Sequence, residues 1–252
     1  MNNAICLITR EPDLNWISFL KDFVKYDIYI VYDSCSDINL LNKYIEKYPS
    51  IKFITFDNDK CIEEGFQNSS HMENSSLIFN RVIAWDKGLY YFSRLETKYD
   101  NVWFFEDDVF FYNEKTIEKI DNEYIDSDIV CTAKNPEPSG DEWRWFWPAI
   151  HINFPGPYFH SPICSVRLSR TLLYHINDYI HKNKTLFFIE AMFPTIATHH
   201  NLKYDMCKKL NSHWRKTWDM SELNEDDICH PLKDTESHQN IRNIISERNK
   251  NL

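Results

Sequence analysis

The sequence predicts an α/β protein built on a parallel sheet with helices on both faces. Through the first half of the chain, short apolar runs alternate with stretches of helical periodicity. Strand–helix–strand repetition of that kind places parallel neighbours across helical crossovers. The composition is that of an ordinary globular domain: 252 residues, 43% hydrophobic and 26% charged, enough chain to bury a substantial core.

The first apolar run, Ala4 to Thr9, reads as a buried strand. Pro12-Asp13 opens a helix to about Lys25, with Leu14, Ile17, Leu20 and Val24 on one face. Asp27 to Asp33 is the second strand. Ser36-Asp37 caps a helix carrying Ile38, Leu41 and Ile45, which Pro49 stops. Ile51 to Phe56 is the third strand, and the polar stretch from Asp57 to Ser75 reads as loop. A long helix is expected from Ser75-Ser76 to about Leu95, with Ile78, Val82, Trp85, Leu89 and Phe92 on one face. Asn101 to Phe105 is the fourth strand.

The second half is less regular. Strands are expected over Asp128 to Ala133, Ile163 to Leu168 and Leu186 to Ile189. Helices follow over Ser169 to His181 and Glu190 to His200. Cys229-His230-Pro231-Leu232-Lys233 lies near the end, and the segment after Asp234 reads as a polar tail with a frayed helix over Asn240 to Arg248. No repeat or low-complexity linker divides the chain. A single domain is therefore expected over residues 1–234, in halves 1–111 and 112–234, with a tail over 235–252.

Composition excludes several functions. The formal charge of −10 argues against nucleic acid as the main partner, because phosphate backbones call for a basic stripe. The first apolar run is too short for a signal peptide and no lysine or arginine precedes it. No apolar stretch approaches the ~18 residues of a membrane span. The seven cysteines are scattered, with no C-x-x-C pair, and read as reduced thiols in a cytoplasmic setting. Four glycines leave no glycine-rich phosphate loop.

Parallel α/β sheets bind ligands at the carboxyl ends of their strands. Thr9 and Arg10 follow the first strand, Asp33 and Ser34 the second, Asp57 and Asp59 the third, and Glu106, Asp107 and Asp108 the fourth. The last set is the most informative. Adjacent carboxylates between apolar runs raise each other's pKa and are costly to bury uncompensated. They sit either at a solvent-facing turn or against a cation.

The Glu106-Asp107-Asp108 run resembles the D-x-D signature, in its E-D-D form, of GT-A-fold, metal-dependent nucleotide-sugar glycosyltransferases. The resemblance extends to the order of elements over roughly residues 3–234. It implies a Rossmann-like, mixed and mostly parallel sheet flanked by helices, with residues 1–111 as the nucleotide-sugar half and 112–234 as the acceptor half. Carried over, Asp108 binds a divalent metal, Mn²⁺ or Mg²⁺, and Asp107 and Glu106 meet the sugar-nucleotide or the metal's waters. A late histidine often completes such a site, and His230 matches it, with Lys233 placed to neutralise a phosphate. A plain loop histidine before a proline is the alternative for His230.

The resemblance also places Thr9 and Arg10 at the nucleoside. Asp33 either accepts from base or ribose or forms an Asx turn capping the next helix. Arg81 and Asp86 fall in the region that touches donor sugar or diphosphate, although a solvated helix face explains either singly. For an inverting reaction a carboxylate must deprotonate the acceptor hydroxyl. Glu190, at a helix start, is the first choice, with a plain helix N-cap neighbour as its alternative, and Asp141 and Glu142, ahead of the tryptophans, are the reserve; a retaining reaction requires none of them. The aromatic stretch Trp143 to Phe159 forms either core or a stacking wall for an acceptor sugar. A zinc site from His151, His160 and Cys164 lacks a fourth ligand and is set aside.

The expected activity is sugar transfer from a nucleotide-sugar donor to a glycan or other hydroxyl acceptor, with UDP favoured by the class. The alternatives are a metal-dependent phosphohydrolase or nucleotidyltransferase using the same acids, and a non-catalytic glycan-binding module.

Overall fold

The computed structural model describes residues 1–70, 82–136, 154–213 and 216–250. In order, the first elements are β1 (Asn3–Thr9), α1 (Leu14–Leu20), β2 (Asp27–Tyr32), α2 (Ile38–Lys47), β3 (Ile51–Ile54), α3 (Asn58–Glu63), α4 (Ala84–Tyr90), β4 (Asn101–Glu106) and β5 (Phe110–Phe111). Then come α5 (Glu114–Glu123), β6 (Ile129–Cys131), β7 (Asn135–Pro136), β8 (Phe159–His160), β9 (Ser165–Ser169) and α6 (Arg170–Asn183). The chain closes with α7 (Ile189–His199), β10 (Tyr204–Met206), β11 (Leu210–Ser212), β12 (Ile228–His230) and α8 (Thr235–Lys250).

The main sheet has seven strands in the order β10-β6-β9-β4-β1-β2-β3. The pairs β1–β2, β1–β4, β2–β3 and β10–β6 are parallel, and β9 runs antiparallel to both β4 and β6. One reversed strand thus sits inside an otherwise parallel sheet, the mixed, mostly parallel arrangement expected. Helices cover both faces, which explains why the central strands read as continuous apolar runs. Along β1 the side chains alternate, with Cys6 and Ile8 in one core and Ile5 and Leu7 in the other. The first core takes Trp85 and Leu89 of α4 and Leu173 and Ile176 of α6. The second takes Trp16 and Leu20 of α1 and Ile117 and Ile120 of α5.

The reversed strand carries a fully buried arginine, and its charge is met inside. Arg167 Nη1 donates to Asp121 Oδ1 at 2.8 Å, as does Trp103 Nε1 at 2.9 Å. Asp121 Oδ2 accepts from Asn3 Nδ2 at 2.9 Å and the Tyr26 hydroxyl at 2.7 Å. Both carboxylate oxygens are satisfied, as a buried ion pair requires.

Several boundaries differ from the sequence expectations. The helix carrying Trp85 begins at Ala84, because Ile83 is extended (φ −116°), and it ends in a π-helical turn, Tyr91–Leu95. Residues 75–81 lie outside the described segments. The stretch expected as loop after Asp57 contains α3, capped by the Asp57 side chain, which accepts from the Asp59 N–H at 3.0 Å. Leu186 to Ile189 is no strand. The N–H groups of Leu186 and Ile189 donate to the carbonyls of Gln67 and Ser69 at 3.0 and 2.8 Å, so the run is clipped to a loop and its apolar character comes from burial. A short apolar run does not by periodicity distinguish strand from buried strap.

The expected polar tail is also corrected: α8 has sixteen residues and buries His238, Ile241, Arg242 and Ile245. Among the described residues no helix is long and apolar enough to cross a membrane.

Candidate active site

The carboxyl ends of β1 and β4 lie side by side, with Ile8 opposite Glu106 in the parallel register. Thr9 is buried, and its hydroxyl lies 2.7 Å from Asp107 Oδ2 and 2.8 Å from the Glu11 carbonyl. Its one proton serves either acceptor. Trp16 Nε1 of α1 donates to the Asp107 carbonyl at 2.8 Å. On the other side, the Glu106 N–H donates to the Cys164 carbonyl at 2.9 Å, and Trp85 Nε1 of α4 donates to Glu106 Oε1 at 2.8 Å. The acidic run is thus held from three elements.

The histidine arrives by strand pairing. β5, just after the acids, pairs antiparallel with β12, setting Phe110 opposite Cys229 and Phe111 opposite Ile228. The Leu232 N–H donates to the Asp108 carbonyl at 2.6 Å. These contacts bring His230 Nε2 to 3.3 Å from Asp108 Oδ1, both side chains largely shielded from solvent. Asp108 Oδ1 and His230 Nδ1 are both buried, with no hydrogen-bond partner among the described residues. Ligand atoms of Glu106, Cys164 and His230 lie within 4.8 Å of one another.

Burial, foremost, pushes the carboxyls of Glu106 and Asp107 above their ordinary range, and the Asp108 charge adds to both. Trp85 counteracts the shift on Glu106, and Thr9 that on Asp107. Burial, with Glu106, Glu190 and Asp108 nearby, drives the Cys164 thiol well up. Cys164 therefore contributes a neutral thiol.

These residues fit a divalent cation. Trp85 and Thr9 each serve one oxygen of Glu106 and Asp107, while among the described residues Asp108 Oδ1 accepts no hydrogen bond and no lysine or arginine forms an ion pair with the run. A buried polar atom without a partner is costly, and a cation between Asp108 Oδ1 and His230 Nε2 would give Asp108 Oδ1 a partner. The carboxylate oxygens and the one imidazole suit Mn²⁺ or Mg²⁺, with the Cys164 thiol beside them.

Glu190 stands in the first turn of α7. Burial first, then the Glu106 charge, pushes its pKa up to about 8, against the Ile163 N–H donating to it. The structure thus brings Glu190 into the field of the acidic run. Arg10 is exposed at the end of β1, and its charge and backbone N–H both act on Asp107. Lys233 is exposed beyond His230 and forms no ion pair among the described residues.

Two expected ligand contacts are occupied by structure instead. Asp33 Oδ1 accepts from the Ala84 N–H at 2.5 Å at the start of α4, not from the next helix, which Asp37 caps, so the expected Asx turn is replaced by a long-range contact. Asp86 is 1% exposed, and its oxygens accept from the N–H groups of Ser69 and Ile83 at 3.0 and 2.8 Å. Asp86 anchors a loop and a helix start and offers no surface to a donor. Arg81 and Asp141 lie outside the described residues, as do Trp143 to Trp147.

Sequence reasoning missed Trp85 and Lys87, and weighed Cys164 only with His151 and His160, not with Glu106 and His230. Lys87 Nζ donates to the carbonyls of Tyr32 and Asp33 at 3.2 and 2.8 Å, gripping the end of β2. Trp85 reads as core from its helical spacing, and no sequence signal reveals that its N–H reaches Glu106.

No protein-family model matches the chain, and no curated protein matches it. Among solved structures the chain is similar to an active-site mutant of LgtC, at 9% identity and TM-score 0.50, covering 96% of this chain and 95% of that one. It is also similar to the galactosyltransferase LgtC in complex with donor and acceptor sugar analogues, at 8% identity and TM-score 0.49, covering 95% of each chain. A third similarity is to mouse xyloside xylosyltransferase 1 in its apo form, at 10% identity and TM-score 0.45, covering 84% of this chain and 88% of that one. At these identities the likeness to the LgtC mutant shows a shared fold, the mixed α/β fold of GT-A glycosyltransferases.

Proposed function

We propose that the protein transfers a sugar from a nucleotide-sugar donor, a UDP-sugar by preference, to the hydroxyl of a glycan or other acceptor, with a divalent metal bound at Asp108 and His230. The observation that carries this reading is the approach of His230 Nε2 to 3.3 Å from Asp108 Oδ1 at the carboxyl end of β4. Two ligand-type atoms meet there without a hydrogen bond, where α/β sheets place their ligands. The shared fold with LgtC, which was crystallised with donor and acceptor sugar analogues, supports the same two ligand classes.

Asp108 and His230 would hold Mn²⁺ or Mg²⁺, with Glu106 and Asp107 beside them. When bound, the ion supplies Lewis-acid stabilisation of charge developing on the leaving diphosphate. Trp85 and Thr9 keep the flanking carboxylates fixed, Arg10 and Lys233 are exposed cations for the donor's phosphates, and Glu190 takes the acceptor proton if the reaction inverts. A pKa of about 8 is close enough to neutral for a general base. The seven free thiols suit a reducing, cytoplasmic compartment.

The test is a panel of nucleotide-sugars incubated with the protein and Mn²⁺, reading released nucleoside diphosphate. Slow donor hydrolysis by the wild type that disappears in Asp108→Ala supports transfer. Cleavage of simple phosphoesters, or sugar binding with no turnover of any donor, overturns it.

A further inference from the structure

A cavity lies between α1 and α8, with Trp16 in its wall. Its volume is about 150 Å³, well above the ~10–15 Å³ that one water needs on this measure. Asn15, Ser18 and Gln239 supply neutral polar groups to it, and Trp16 and His238 apolar and aromatic surface. Among the described residues its one fixed cation is Arg242, 8% exposed.

The state of Arg242 is unusual. Its guanidinium stacks 3.4 Å from the centre of the Phe19 ring and 5.3 Å from that of Phe110. Its Nε donates to the Phe111 carbonyl at 3.3 Å, while Nη2 is buried with no partner. Among the described residues no carboxylate pairs with it, and burial alone draws its pKa down to about 9. Burial likewise holds His238 down, and its Nε2 lies 2.8 Å from the Leu232 carbonyl. A buried charge is normally paired, because an unpaired one is strongly destabilising. Here no pairing group stands among the described residues, and Arg242 lines a cavity.

We propose that the α1–α8 cavity is a binding site for a small carboxylate, held by Arg242 with Asn15, Ser18 and Gln239 as neutral partners. The rings of Phe19 and Phe110 flank the guanidinium, so recognition is confined to the in-plane N–H groups, the geometry that suits an oxyanion. One cation with a neutral histidine balances one negative charge, which favours a carboxylate over a phosphate dianion. Among the described residues no carboxylate side chain lines the cavity, and the nearest ones, Asp13 and Asp234, act on His238 from beyond its wall. The site is separate from the proposed transfer site and is tested independently of it. Its walls nevertheless touch that site, since Trp16 holds the Asp107 carbonyl and His238 the Leu232 carbonyl.

The experiment follows the Arg242 Nε–H resonance of the full chain by NMR during titration with sodium acetate, sodium phosphate and, at matched ionic strength, sodium chloride. Acetate is expected to give a saturable shift at millimolar concentration, with phosphate weaker and chloride without effect. Ser18→Leu, at the exposed edge of the cavity, is expected to weaken acetate by at least ~tenfold without disturbing the fold. Arg242→Met, followed through the Trp16 Nε1–H resonance, is expected to abolish the acetate response. The proposal is overturned if acetate acts no differently from chloride, if phosphate saturates first, or if Ser18→Leu binds acetate like wild type.

Discussion

His230 Nε2 stands 3.3 Å from Asp108 Oδ1, although the two residues lie in opposite halves of the chain. The β5–β12 pairing and the Leu232-to-Asp108 backbone bond create that approach. Replacing His230 by Gln keeps a polar side chain but removes the imidazole ligand. Its expected effect is a loss of Mn²⁺ affinity of at least ~tenfold, measured by calorimetric titration, with thermal stability close to wild type.

Trp85→Phe tests the support of Glu106. The ring stacks on Phe104 at 5.5 Å, so phenylalanine keeps most of the packing and loses only the N–H to Glu106 Oε1. A hydrogen bond to a charged group contributes about 1.5–3 kcal/mol. Diphosphate release is therefore expected to fall by roughly an order of magnitude, while the melting temperature moves little. Unchanged turnover would show that Glu106 needs no such anchor.

Gly65→Ala tests backbone strain. Gly65 has φ +86°, and an added Cβ would lie 2.9 Å from the Lys184 backbone. Neither the left-handed conformation nor a backbone neighbour yields easily, so a loss of about 2 kcal/mol or more is expected in urea unfolding. A near-neutral result would mean that the α3–α6 approach is looser than described.

His160 gives a pH prediction. Burial draws its pKa from 6.5 to about 4 in the folded state. The unfolded chain therefore binds the extra proton first. The stability linked to this group is complete above about pH 6.5 and is lost as pH falls towards about 4. With solvent screening the effect is on the order of 1–2 kcal/mol. His160→Gln is expected to flatten the stability profile across that window, measured by denaturant unfolding at stepped pH.

Much of this architecture was legible because local rules and tertiary demands agree. The continuous apolar runs of β1 and β4, the Asp37 cap of α2 and the Ser169 cap of α6 each satisfy a local requirement that is visible in the sequence. The acidic run stood out because three adjacent carboxylates between apolar strands need a reason. Its partner Cys164 was hidden, since a lone thiol before a strand carries no spacing signal. Asp86 misled for the opposite reason: a carboxylate on a helix near a suspected site looks available to a ligand, yet it satisfies two backbone N–H groups in the interior. The packing of α8 was missed because its buried face includes His238 and Arg242, which read as polar.

The most direct test is Mn²⁺ binding, measured by electron paramagnetic resonance in the presence of UDP, for the wild type and Asp108→Asn. The wild type is expected to bind one ion and the variant to bind it at least ~tenfold more weakly, because it replaces an anionic ligand with a neutral amide. Equal binding by both proteins, or none by the wild type, would contradict a metal site at Asp108 and His230.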